Sequence, residues 1–348
     1  MIDNDIRPSQ EFIEGKQRFE YSKSEVNWDA RARPEELDIE HKLLSSLTEW
    51  LGNSIKEVTF GKEDALVGVS GGVDSTTTAY LVSEAFQQIK QKGSGTDQHL
   101  LLVSFTGNIE EDSRNFPTVV ESIINSYPEL NISSVTSDIS GAINTIHASV
   151  DKLVEASGRK KVYAGELPTR VIYQHLIELA NRIGYALVGS MNGTELILGE
   201  FSLGASSMIS PLEFLFKSQV NELAKILNIP QPILARPGTD TDWGNDKINT
   251  YFKELPKDIS PQHAYQVLDA VLYGLWALHH SPDKVAQDLG HDPKFVQRIY
   301  ERIKSEEYSR KPPTFFTTGI NVQYNSHLPE SFNSREQQVM YDAAKSKN

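Results

Sequence analysis

The chain has no cysteine among its 348 residues, which excludes disulfides and removes the commonest thiol nucleophile. Cationic side chains are in the minority: 34 Lys and Arg stand against 47 Asp and Glu, a formal charge of −13. Surfaces that bind nucleic acid gather Lys and Arg to meet phosphates, and no such cluster stands out, so no nucleic-acid partner is expected. No apolar run approaches the roughly 18 residues needed to cross a bilayer, and the first residues are polar and acidic rather than leader-like. A cytoplasmic protein with no membrane partner is expected. Anionic ligands must then be met by local donors and metal ions.

What is present begins with an apolar run, Ala65-Leu66-Val67-Gly68-Val69, followed by Ser70-Gly71-Gly72-Val73-Asp74-Ser75 and a helix-like stretch. A strand, a glycine turn and a helix start in that order make a phosphate cradle. Adjacent glycines let backbone N–H groups approach phosphate oxygens, while a helix beginning near Asp74 adds unpaired donors and the positive end of its dipole. Ser70, Ser75 and Thr76 can add hydroxyl donors. No Gly-Lys-Ser/Thr follows, so this is not a Walker A loop. An Asp at this place suits a loop that holds pyrophosphate through backbone groups and recruits Mg²⁺ through a carboxylate. The segment resembles the signature loop of the ATP pyrophosphatases, the PP-loop enzymes. That resemblance implies cleavage of ATP to AMP and pyrophosphate as a substrate is activated as an adenylate, with Gly68, Ser70, Gly71, Gly72, Asp74 and Ser75 in the ATP site.

The length suits one large α/β domain with appendages, two domains being the other possibility. Residues 1–35 are charged with little apolar periodicity and read as a polar arm, 36–315 as the main domain and 316–348 as a tail. Leu43, Leu44, Leu47, Leu51 and Ile55 fall at helical spacing. Strands are expected at 65–69, 99–105, 132–135 and 185–189, alternating with helices near 75–92, 113–126, 142–157 and 167–183. Such alternation implies a doubly wound parallel sheet covered on both faces, with ligands beyond the carboxyl ends of the strands. Beyond Pro211 the pattern turns helical, near 217–227, 262–280, 282–289 and 293–306. The stretch 229–261 holds five prolines and reads as a long loop with one short helix. The run Glu110-Glu111-Asp112 suits a helix start, and His279-His280 reads as surface or packing residues with no third metal ligand evident.

Gly189-Ser190-Met191-Asn192-Gly193-Thr194-Glu195 and the apolar pair and glycine that follow resemble a segment of the NAD synthetases. So do Pro211-Leu212, Leu215-Phe216-Lys217-Ser218-Gln219-Val220, the stretch Asp269 to Leu275 and Arg310-Lys311-Pro312-Pro313. The resemblance runs from about residue 40 to about 315. It implies an adenine-nucleotide alpha-hydrolase-like fold that adenylates the carboxylate of deamido-NAD with ATP and lets ammonia displace AMP, giving NAD. It also implies Mg²⁺ and a homodimer with substrate sites at the subunit interface. Asp74 and Lys217 then take the catalytic roles, Asp74 and Glu195 hold the metal, Ser190, Lys217 and Thr239 join the ATP site, and Arg170 contacts substrate. The residues allow plainer readings too: Glu195 as a carboxylate favoured by a helix dipole, and Arg170 on a solvated helix face. Lys217 at a helix start opposes the dipole, and a bound anion would offset that.

The acid-substrate side departs from the family pattern. Glu200-Phe201-Ser202-Leu203-Gly204-Ala205-Ser206-Ser207 carries no lysine where the family has one, and Tyr308-Ser309 replaces a His-Lys pair. Three readings stay open: NAD synthesis with altered contacts, a paralogue that adenylates or amidates a different carboxylic acid, and a nucleotide-binding protein without catalysis. With no cysteine and no room for a glutaminase domain, free ammonia or a separate glutaminase is the expected nitrogen donor.

Overall fold

The computed structural model describes residues 34–93, 97–107, 114–159, 167–202, 207–235 and 261–306. Residues 1–33 of the expected arm, the tail, the acidic run at 110–112, Thr239 and Tyr308-Ser309 lie outside these residues, while residues 34 and 35 already belong to the first helix. A long amphipathic helix, α1 (Pro34–Val58), leads into β1 (Ala65–Gly68), α2 (Val73–Gln91), β2 (His99–Thr106), α3 (Phe116–Ser126), β3 (Asn131–Asp138), α4 (Ser140–Ala156), α5 (Leu167–Ile183) and β4 (Ala186–Val188). All pairings are parallel and the order is β3-β2-β1-β4. The chain thus builds outward from β1 to β3 and returns to place β4 on the other side of β1. The carboxyl ends of β1 and β4 flank that reversal, where open α/β sheets place their ligands.

Strand alternation divides the core. Ala65 and Val67, Leu100 and Leu102, and Ala186 and Val188 face one side, packing with Leu51 and Ile55 of α1 and Tyr80 and Phe86 of α2. Leu66, Val103 and Leu187 face the other side, against Leu176 and Ala180 of α5. Burial on both faces is what the near-continuous apolar runs of β1, β2 and β4 imply. β3, at the sheet edge, is exposed along much of its length, and its sequence is correspondingly polar. Gly68 lets α5 approach: a Cβ there would lie 2.7 Å from Leu176 Cδ1.

A second cluster forms from the later elements: α6 (Gly193–Leu198), α9 (Pro261–Leu272), α10 (Pro282–Leu289) and α11 (Pro293–Ser305). Between α6 and α9 lie α7 (Lys217–Ile226) and α8 (Gln231–Leu234), whose apolar side chains join the first core. The helix expected at 262–280 is α-helical only to Leu272 and continues as a π segment, Tyr273–Ala277. His279 and His280 therefore follow the helix rather than sitting on it, and His279 takes a positive φ of 54°. Among the described residues no group of three His, Asp or Glu side chains is poised around a metal ion, and no helix is long and apolar enough to cross a membrane.

Candidate active site

The loop after β1 is braced by its own hydroxyls. Gly71 turns the chain at φ 88°, a conformation that glycine adopts without a Cβ clash. The Ser70 N–H donates to Ser75 Oγ at 3.2 Å, the Gly72 N–H to Ser70 Oγ at 3.2 Å, and Thr76 Oγ1 to the Gly72 carbonyl at 2.8 Å. Gly72 occupies the N-cap of α2 and makes no side-chain cap bond. The first N–H groups of a 19-residue helix are thus left without the side-chain partner found at α6, α10 and α11. A loop of this kind, at the positive end of the dipole, is a ready anion site.

Asp74, one residue into α2, forms an ion pair with Lys217, the first residue of α7. The two side chains are only 19% and 8% exposed, so the pair is largely withdrawn from water. Asn192, fully buried, joins this pair to Glu195. Its Nδ2 donates to Asp74 Oδ1 at 3.2 Å, its Oδ1 accepts the Glu195 N–H at 3.0 Å, and its own N–H donates to Glu195 Oε2 at 3.2 Å. Asn192 and Glu195 make the capping box of α6, and such reciprocal bonds fix both side chains. Glu195 is thus both a helix-start carboxylate and a member of the Asp74–Lys217 cluster.

Electrostatics follow from that crowding. Glu195 keeps partial solvent exposure, yet the protein packed around it, and then the charge of Asp74, push its carboxyl up to about 8, with Lys217 and the Asn192 bonds pulling the other way. Tyr173 on α5 is pushed up to about 12 by burial and by Glu195 and Glu213. The helix that carries Arg170 therefore comes within electrostatic reach of Glu195. Arg170 itself is exposed in the first turn of α5, one helical turn before Tyr173. Ser190 follows β4, half-buried, two residues before Asn192.

Two carboxylates and one ammonium share the space in front of the open α2 terminus. A divalent cation fits this donor set: both carboxylates offer hard oxygen ligands, and the Asp74 repulsion that adds to burial in raising Glu195 is what a bound Mg²⁺ relieves. The structure thus brings Asp74, Lys217 and Glu195 together beside the Ser70–Ser75 loop, and gives Gly68 a packing role against α5. Sequence reasoning gave no role to Asn192, though its capping-box spacing with Glu195 was readable. It also missed Thr194 and Asp269. Thr194 Oγ1 donates to Asp269 Oδ1 at 2.6 Å and accepts the Lys217 N–H at 2.9 Å, while Asp269 Oδ2 accepts the Ser218 N–H at 2.8 Å. These partners lie 75 and 51 residues from Asp269, beyond any local signal. The anion that offsets Lys217 at its helix start is therefore supplied by the protein, by Asp74 at the ammonium and Asp269 at the backbone.

A family model described as NAD synthase matches residues 43–313. The NH(3)-dependent NAD(+) synthetase of Pyrococcus furiosus is 28% identical over 275 residues, covering 78% of this chain and 93% of its own. The enzyme of that name from Saccharolobus solfataricus is 27% identical over 278 residues, 78% of this chain and 88% of its own. Among solved structures, the NMN synthetase from Francisella tularensis superimposes with a TM-score of 0.55 at 20% identity, covering 80% of this chain and 98% of that one. The NH3-dependent NAD synthetase from Campylobacter jejuni, in complex with nitrate, gives a TM-score of 0.54 at 16% identity, with 80% and 99% covered. At those identities the structural likeness speaks for the fold.

Proposed function

We propose, from the premise that the chain belongs to the NAD synthase family, that it is an ammonia-dependent ligase that converts deamido-NAD to NAD. In the first step a carboxylate oxygen attacks the α-phosphorus of ATP; the bond to pyrophosphate breaks and an acyl adenylate forms. In the second, ammonia attacks the acyl carbon, a C–N bond forms, and AMP leaves with the C–O electron pair. A carboxylate is a poor electrophile, so the work lies in positioning and charge neutralisation.

The observation that carries this reading is the uncapped start of α2, behind Ser70-Gly71-Gly72, set beside the Asp74–Lys217 pair and Glu195. Ser70, Gly71, Gly72 and Ser75 hold the β and γ phosphates of ATP through backbone and hydroxyl donors. Lys217 neutralises a phosphate as a point charge. Asp74 and Glu195 would hold Mg²⁺, which supplies charge neutralisation to the phosphates. Asn192 keeps the two carboxylates aimed at one space. Ser190, at the end of β4, lies at the sheet reversal and is read with Thr239 as part of the ATP site, and Arg170 as a contact of the acid substrate. By the same family premise the protein acts in the cytoplasm as a homodimer, with free ammonia or a separate glutaminase as the nitrogen source.

The test is incubation of purified protein with ATP, Mg²⁺ and ammonium, with and without deamido-NAD, following AMP, pyrophosphate and NAD. NAD formed in step with AMP is the expected result. AMP release with another carboxylic acid, and none with deamido-NAD, overturns the substrate assignment and leaves the adenylation chemistry. Sedimentation of the same sample reads the oligomeric state.

A further inference from the structure

The N-terminus of α7 differs from that of α2 in how its donors are used. The first two N–H groups of α7 are taken inside the protein, Lys217 N–H by Thr194 Oγ1 and Ser218 N–H by Asp269 Oδ2. Gln219 Oε1 accepts the N–H of Phe216, the N-cap residue. The N–H groups of Phe216, Lys217 and Ser218 are thus all engaged within the protein, and the Lys217 side chain, 8% exposed, is left to meet Asp74. Asp269 is 4% exposed and Thr194 1% exposed, so neither bond competes with water.

Both oxygens of the Asp269 carboxylate are engaged, and on two different elements. Oδ1 takes the hydroxyl of Thr194, the residue before Glu195 on α6; Oδ2 takes the backbone of the residue after Lys217 on α7. One buried carboxylate therefore sets the register between the helix that carries Glu195 and the helix that carries Lys217. The same face of α9 reaches the ammonium one turn earlier, where the ring of Tyr265 lies 5.8 Å from Lys217 Nζ. Four residues past Asp269 the helix widens into its π segment, a distortion often found beside functional sites.

We propose that Asp269 is a positioning residue for the ATP site: through Thr194 and the Ser218 N–H it holds the Lys217 ammonium in place against Asp74. The proposal rests on the adenylating role assigned above for its meaning, but its geometry is independent of the acid substrate. An apolar residue of equal size would fill the space and leave the Thr194 hydroxyl and the Ser218 N–H without an acceptor. An asparagine keeps shape and one acceptor oxygen and turns its amide against a donor.

The experiment compares the full chain with Asp269→Asn, Thr194→Val and Thr194→Ser, checking each fold by circular dichroism. Mg²⁺·ATP affinity is measured by calorimetry, and kcat and KM for AMP release are measured where turnover occurs. Asp269→Asn and Thr194→Val are expected to weaken ATP binding about tenfold and to lower kcat about a hundredfold, in line with loss of one transition-state contact. Thr194→Ser keeps the hydroxyl and is expected to restore binding to within about threefold of the parent. The double variant should lose no more than the worse single one, because both act through one network. The proposal is overturned if folded Asp269→Asn binds ATP within twofold of the parent, or if Thr194→Ser is as impaired as Thr194→Val. The Thr194 pair decides the matter alone should Asp269→Asn fail to fold. A parent that binds ATP but makes no NAD refutes the substrate assignment, while the binding series still reads the network.

Discussion

Replacing Lys217 with Met removes the ammonium bonded to Asp74 and leaves Asp74 and Glu195 as neighbouring carboxylates. Breaking a wholly buried ion pair by deleting one partner costs about 3–5 kcal/mol. With 8% and 19% of the two side chains still exposed, the pair sits at the lower end, near about 3 kcal/mol. For a chain of this size that is a fall in Tm of about 4 °C. The deficit should depend on pH. Burial and Asp74 raise Glu195 from its ordinary 4.5 to about 8, and Lys217 opposes the rise. Folded protein therefore binds the extra proton from 4.5 to about 8, and on this account its stability falls as pH rises through that interval. Without Lys217 the folded group stays protonated to higher pH, so the variant goes on losing stability where the parent has stopped. Urea titrations at pH 6.5 and pH 9 should find the larger gap at pH 9. Adding Asp74→Asn should recover much of the stability, since a neutral pair costs less to bury than a lone charge, and none of the activity. AMP release should fall about 10²–10³-fold in either variant. A deficit below about 1 kcal/mol that is flat with pH would show that the pair does not govern the site.

Other consequences can be read from the same contacts. At pH 7 Glu195 holds a proton that a metal ligand must give up, so Mg²⁺·ATP binding should release about one proton, and Glu195→Gln should abolish the release. Calorimetry in buffers of different ionisation enthalpy measures it; release that persists undiminished above pH 9 would assign the proton elsewhere. Gly193→Ala places a Cβ 2.8 Å from the Glu213 carbonyl and 3.0 Å from that of Leu215. Both neighbours are backbone, so a loss of about 2 kcal/mol in urea unfolding is expected, with reduced ATP turnover because Glu195 moves with the start of α6. Asn192→Ala deletes the α6 cap and the link to Asp74 together. A Tm fall worth about 1 kcal/mol is expected from the cap, with a disproportionate loss of kcat that a simple capping role would not produce.

The parts of this molecule legible in its sequence are those governed by local physics. The apolar runs at Ala65, His99 and Tyr185 located three of the strands because a strand buried on both faces has no alternation to lose. β3 was caught only from Ile132 to Val135, its two apolar residues, since an edge strand exposed on its outer side can be polar almost throughout, as Ser133, Ser134, Thr136 and Ser137 are. The π segment after Leu272 was read as continuing helix, because Tyr273, Leu275, Trp276 and Ala277 keep the apolar character of the residues before it and a single Gly274 does not by itself end a helix.

The site shows the same boundary more sharply in the contrast between α2 and α7. Both helices begin at residues with no side-chain cap bond of their own, and both carry a charge within the first two positions, so a local reading makes each a place for a bound anion. The partners that separate them are distant: Asp74 lies 143 residues from Lys217, and Asp269 lies 51 from Ser218. Lys217 does require an anion, as its position against the dipole implies. Once folded it has Asp74, and the donors beneath it have Thr194 and Asp269. Of these two termini, that of α2 keeps its first turn without such side-chain partners. An incoming phosphate must therefore displace or share the Asp74–Lys217 contact to reach the ammonium, while the Gly71-Gly72 loop receives it without breaking an ion pair. ATP binding should for that reason depend more steeply on the loop, and the chemical step more steeply on Lys217.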